Sequence, residues 1–136
     1  VAALALPAAD VLAFERSGGG GRSITRNEGG GVSGSAWRSG SNDRGGAFQR
    51  NRNTTGDGAG NVSSSAGGSF STANGTSGST SGNVSRDASG NVNASRSSNL
   101  TGANGSSYNG STTASNGSVV HSGGCTDASG AAIACR

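Results

Sequence analysis

The chain has 136 residues, of which 27 are Gly, one is Pro and 29% are hydrophobic, with Ser, Thr and Asn filling most of the remainder. That composition excludes an ordinary globular domain: the few large apolar side chains do not offset the entropy of ordering so much Gly-rich backbone. The net charge is +3 and all ten basic residues are Arg, seven of them between residues 16 and 52, a mild bias that attracts anionic partners or simply keeps the chain in solution.

Residues 1–13, VAALALPAADVLA, resemble the end of a secretory signal peptide, with Val11 and Ala13 at the two small-residue positions of a cleavage site before Phe14. The stretch is interrupted by Pro7 and Asp10 and is too short to span a bilayer. Export is the expectation, and a retained apolar arm docked on a neighbouring subunit is the alternative.

Residues 14–53 form an Arg/Gly-rich segment with Gly runs at 18–21 and 29–31 and two aromatic residues beyond Phe14, Trp37 and Phe48. The fragment Asp43-Arg44-Gly45-Gly46 resembles the Arg-Gly-Gly segments of RNA-binding proteins, in which Arg stacks on bases and contacts phosphate. Neither Gly run ends in Gly-Lys-Ser/Thr, so a nucleotide-binding phosphate loop is excluded.

Residues 54–124 are a Gly/Ser/Asn/Thr-rich repeat region. Turn-forming pairs recur at Gly60-Asn61, Asn74-Gly75, Gly90-Asn91, Asn104-Gly105 and Asn116-Gly117, which predicts short strands joined by tight turns. Within this region an eight-residue period shows as Asn83-Val84, Asn91-Val92 and Asn99-Leu100, with Tyr108 on the next beat. Eight is even, so in an extended chain Val84, Val92, Leu100 and Tyr108 face one way and form an apolar assembly seam, while Asn83, Asn91 and Asn99 form a polar ladder. Parity extends further: Phe14, Ile24, Val32, Phe48, Val62, Phe70 and Val120 are also even-numbered. No helix is expected after residue 13, because Gly, Ser, Asn and Thr are poor helix formers and no stripe recurs at three and four residues.

Nine Asn residues stand in Asn-X-Ser/Thr, namely Asn53, Asn61, Asn74, Asn83, Asn93, Asn99, Asn104, Asn109 and Asn116. They are glycosylation acceptor sequences, and they are equally what a turn-rich Asn-Gly-Ser repeat looks like. Residues 125–136 are a separate device, in which a hairpin about Gly130 brings Cys125 opposite Cys135. A disulfide closing that loop stabilises by roughly 3 kcal/mol and belongs to an oxidising compartment. Together with Cys125 and Cys135, His121 does not complete a structural zinc set, and as the single His in the chain it leaves no marked serine with a base, so neither a metal, a cofactor nor a catalytic function is expected.

The repeated strand-and-turn units, the Gly/Asn/Ser richness and the export signal resemble those of bacterial functional amyloids of the curli type and other secreted matrix-fibre subunits. The resemblance covers residues 54–122, lies in architecture rather than motif, and carries over no individual residue. It implies a subunit exported unfolded that polymerises outside the cell. The fold expected is all-β, with strands and turns stacked as a β-solenoid or cross-β-like assembly that is ordered only in the polymer, the isolated chain being largely disordered. The expected role is a structural subunit of an extracellular filament whose partners are copies of itself. The alternative is a disordered cationic module that holds nucleic acid or anionic polysaccharide through its Arg-rich half.

Overall fold

The computed structural model describes residues 16–135, so the signal-like segment 1–13 and Phe14 lie outside the described residues. The protein is all-β. Eight long strands, β1 (Arg16–Arg26), β2 (Val32–Asn42), β3 (Ala47–Gly56), β4 (Val62–Ser71), β5 (Ser77–Arg86), β6 (Val92–Thr101), β7 (Ser107–Ser115) and β8 (Ser118–Thr126), precede a two-residue β9 (Ala132–Ile133). They form one sheet in chain order, each strand antiparallel to the next. The outcome is an open meander rather than the coils of a solenoid, because every strand hydrogen-bonds to its neighbour in sequence. β3 runs without interruption across the change of composition near residue 53.

The turns set the architecture. Six of the seven connections between the long strands, 27–31, 42–46, 57–61, 72–76, 87–91 and 102–106, begin at fifteen-residue intervals, as does no feature of the eight-residue reading. In most of them the fourth residue is a Gly at positive φ whose N–H donates back to the first residue's carbonyl, as in Gly45 to Asn42 at 3.2 Å and Gly90 to Asp87 at 2.9 Å. The first residue's N–H then donates to the fifth carbonyl, as in Asn42 to Gly46 at 2.9 Å. At 42–46, 72–76, 87–91 and 102–106 only the fourth residue has positive φ, the pattern of a type I turn followed by a left-handed residue, whereas Gly29 and Gly58 add a second positive φ at 27–31 and 57–61. The connection between β7 and β8 differs, with only Asn116 and Gly117 between paired residues and both at positive φ, the tight turn that Asn-Gly favours.

Five-residue connections have a simple consequence. Paired residues on either side of an odd-length turn have the same parity, so from β1 to β7 even-numbered residues oppose even-numbered ones and share a face. The two-residue turn reverses this, pairing Thr113 with Val120 and Ala114 with Val119. Val119 therefore joins the even-numbered apolar residues and Val120 does not, which corrects the parity expected for Val120. The apolar eight-residue beat is a near-coincidence of two beats against one fifteen-residue strand and turn, and it loses phase by one residue per strand.

No described side chain is buried, and large apolar residues such as Val62, Phe70 and Leu100 remain exposed in a single layer. The ladder is instead knitted by main-chain bonds and by aromatic rings lying on glycines of the next strand. A Cβ at Gly40 would sit 2.6 Å from the Phe48 ring and one at Gly78 2.5 Å from the Phe70 ring, so these positions admit no side chain while the rings stay where they are. Gly90 has φ +89° and open space about it, whereas Gly124 has open space and an ordinary φ. Gly90→Ala is therefore expected to destabilise by about 1–2 kcal/mol and Gly124→Ala to be neutral, both read from the thermal melt of the far-UV circular dichroism.

Candidate functional site

The register sorts the strand residues into two chemically distinct faces. One carries every described strand arginine outside Arg16: Arg22 and Arg26 on β1, Arg38 on β2, Arg50 and Arg52 on β3, Arg86 on β5 and Arg96 on β6. The same face carries the apolar residues, in rows across the strands. At one end the row runs Gly40, Phe48, Phe70, Gly78, Leu100, Tyr108, and at the other Val32, Val62 and Val92 alternate with Arg26, Gly56 and Arg86. Arg22, Arg38, Arg50, Arg52 and Arg96 lie between the two rows. Arg38 stands directly opposite Arg50, and Arg52 lies two residues along β3 on the same side.

The other face carries no charged residue on any described strand. It is built of Ser, Thr, Asn, Gln, Gly and Ala, with Trp37 and Val120 as its only large apolar side chains. Cross-strand hydroxyl pairs hydrogen-bond along it: Ser23 with Ser35 at 2.7 Å, Thr55 with Ser63 at 2.8 Å, Ser81 with Ser97 at 2.9 Å and Ser111 with Ser122 at 2.9 Å. The Trp37 indole lies over Gly19 and Gly21 and is 54% exposed. We refer to these surfaces as the cationic and the neutral face.

All described carboxylates lie in turns, at the two long margins of the sheet: Glu28, Asp43, Asp57, Asp87 and Asp127. Three of them close their turns. Asp57 accepts from the Asn61 side-chain amide and from the Ala59 N–H at 2.8 Å, Asp87 from the Asn91 amide at 2.7 Å and the Asn91 N–H at 2.9 Å, and Asp127 from the Ser129 hydroxyl at 2.7 Å and the Ala131 N–H at 3.0 Å. The Asn61 amide holds the Asp57 carboxyl below the ordinary carboxylate range, and the Asn91 amide and the Ser129 hydroxyl do the same for Asp87 and Asp127.

The residues singled out in the sequence fall as follows. Val84, Val92, Leu100 and Tyr108 share the cationic face, but only Leu100 and Tyr108 are directly paired; Val92 lies at the far end of β6 from Leu100, and Val84 opposes Ser64 and Ala94. Asn83 and Asn99 lie on the neutral face, where Asn83 accepts from the Ser95 hydroxyl and Asn99 opposes Ser79 and Asn109. Asn91 is in a turn, bound to Asp87, so the three Asn residues are not stacked on one another. Of the acceptor sequences, Asn61, Asn74, Asn104 and Asn116 are in turns and Asn53, Asn83, Asn93, Asn99 and Asn109 on the neutral face. Cys125 and Cys135 form a disulfide with Cα atoms 5.3 Å apart. The ladder partner of Cys125 is Ile133 rather than Cys135, because the turn centres on Ser129, one residue before Gly130. His121, opposite Thr112, shares hydrogen bonds with the Thr112 hydroxyl at 2.7 Å and the Tyr108 hydroxyl at 3.3 Å.

The arginine grouping does not follow from a division of the chain into segments. Its signal is present in the sequence, since every one of these arginines is even-numbered. The chain matches no family model, and no curated protein or solved structure is similar to it.

A group whose pKa is depressed in the folded state contributes stability above its unfolded-state value and loses it as pH falls through the folded value. The carboxyls of Asp57, Asp87 and Asp127 are therefore expected to titrate below about 3.9, the unfolded reference, with their turns loosening below that pH. Carbon-13 NMR of the side-chain carboxyls of the ordered protein checks this, and midpoints at or above the reference would show that the turn bonds do not hold.

Proposed function

We propose that this protein is a non-enzymatic structural subunit that assembles with copies of itself into an extracellular filament. The observation that carries the reading is the absence of any buried side chain in the described sheet. A single layer with both faces wet gains little from hydrophobic burial, so its order depends on further main-chain pairing and on stacking against another sheet. In this reading the strands become ordered with assembly, and the isolated chain is largely disordered.

Two surfaces suit self-association. Among the described residues, β1 is a sheet edge, and β8 is covered by β9 only at Cys125 and Thr126, with residues 118–124 unpaired on that side. A strand order that alternates direction lets β1 of one copy continue the meander beyond β8 of another, a heterologous contact that does not close and so propagates. The faces differ in their suitability for stacking. Two cationic faces repel each other, whereas two neutral faces, of small side chains apart from Trp37 and Val120 and a few Asn and Gln, meet without desolvating a charge. The terminal disulfide hairpin then locks one corner of the β8 edge, and its bond agrees with export to an oxidising environment.

Negative-stain microscopy with diffraction from aligned fibres tests the reading. Filaments with a spacing of about 4.7 Å along the axis are expected, with the β signal in circular dichroism rising together with sedimentable material. Ser65→Lys combined with Ser81→Lys, which places two charges on the neutral face, is expected to abolish sheet stacking. A wild-type protein that stays monomeric, or filaments indifferent to both lysines, would overturn it.

A further inference from the structure

We propose that the cationic face over β2–β4 binds single-stranded nucleic acid. This goes beyond the filament reading and uses the opposite face from the one that stacks.

Three observations converge on that patch. Arg38, Arg50 and Arg52 are brought together on adjacent strands with no carboxylate on the same face, since every described acid lies in a turn. Like charges directly opposite in an antiparallel pair disfavour the sheet, and a bound anion reverses the sign of that interaction. The grouping is all Arg, whose planar fork binds phosphate oxygens in pairs and stacks on aromatic planes.

The second observation is the pair Phe48 and Phe70, directly opposite each other on β3 and β4 and each 42% exposed. Each ring lies over a glycine of the strand beyond, Gly40 or Gly78, which holds it against the sheet with its outer side in solvent. The third is their spacing. Phe48 and Arg50 are two residues apart on one strand and one face, about 7 Å, the scale on which one nucleotide separates its phosphate from its base. Exposed rings and arginines on an open sheet face are the two elements by which single strands are held without sequence readout, stacking for the bases and charge for the backbone.

The chemistry also discriminates among polyanions. An acidic polysaccharide supplies charges but no planar base, so against Phe48 and Phe70 it offers only sugar C–H groups in place of a stacked ring. A duplex hides its base faces and offers grooves that a flat sheet does not enter.

The test is fluorescence anisotropy of a labelled oligothymidylate of about 16 nucleotides with the full chain. Affinity is expected to fall with salt, and Arg50→Gln with Arg52→Gln to lower the slope of log K against log salt by about 1.4. Both substitutions remove like charges from the face, and the one cross-strand bond lost, from Arg52 Nε to the Ser64 hydroxyl at 3.2 Å, is one that the Gln amide can also donate. Phe48→Leu with Phe70→Leu, which places in this row a residue it already holds at Leu100, is expected to weaken binding about tenfold or more with the salt slope unchanged. The duplex of the same sequence is expected to bind more weakly than the single strand. Absence of binding, equal binding of duplex and single strand, or binding of alginate as tight as that of the oligonucleotide and indifferent to the Phe substitutions would each overturn the proposal. Sedimentation of the Arg50→Gln, Arg52→Gln variant reports assembly independently, so a failed filament and a failed binding site are read apart.

Discussion

The structure depends on the length of its turns. A five-residue connection with a left-handed Gly at its fourth position returns the chain in antiparallel register with parity conserved, and six such connections in succession carry that parity from β1 to β7. Side chains alternate along each strand, so one rule applied at the margins decides the composition of two whole faces. Without it, the even-numbered arginines and apolar residues would be scattered over both sides and neither face would have a chemistry of its own.

The same regularity explains how a sheet without a core is held. Each strand touches only its sequence neighbours, so stability is a sum over ladders, as in other one-dimensional repeats. Its terms are the main-chain bonds, the Ser and Thr hydroxyl pairs of the neutral face, the Asp and Asn bonds that close turns, and rings that cover glycines across a strand gap. Contacts also run along the margins, where the Ala88 N–H donates to the Asn61 side chain at 2.9 Å and links two turns one hairpin apart. At the C-terminal end, where the last strand has only two residues, the Cys125–Cys135 disulfide replaces the missing ladder bonds.

Much of this was legible in the sequence, and the misses have physical causes. The five pairs Gly60-Asn61, Asn74-Gly75, Gly90-Asn91, Asn104-Gly105 and Asn116-Gly117 fall in turns, where αL geometry selects those residues, whereas Gly82-Asn83 and Asn109-Gly110 lie within β5 and β7. The turns at 27–31 and 42–46 carry no adjacent Asn-Gly pair and mark themselves only by Asn at the first position and Gly at the fourth. The eight-residue beat concealed the fifteen-residue one because twice eight is one residue longer than a strand and its turn. Over residues 83–108 that slip is small enough to pass for a strict period. The all-β class followed from composition, whereas the open meander did not, since composition says nothing of which strands pair.

The segregation of charge links the two proposed roles to the fold. The described carboxylates are confined to the margins, where turn N–H groups, Asn amides and a Ser hydroxyl satisfy three of them, and the strand arginines beyond Arg16 to one face, which carries no described carboxylate. A sheet that stacks through its neutral face necessarily leaves its cationic face outermost, so assembly would multiply rather than bury the arginine rows. Repetition of weak phosphate contacts along a filament raises avidity without any new contact, because each site after the first is engaged at high effective concentration. The single departure from the parity rule serves the same geometry: the two-residue turn at Asn116-Gly117 swaps the faces of β8, setting Cys125 beside Tyr108 and His121 beside Thr112 on the cationic side. The disulfide half-cystine thereby ends the aromatic row instead of interrupting the hydroxyl array, and the neutral face runs unbroken by charge to the last strand.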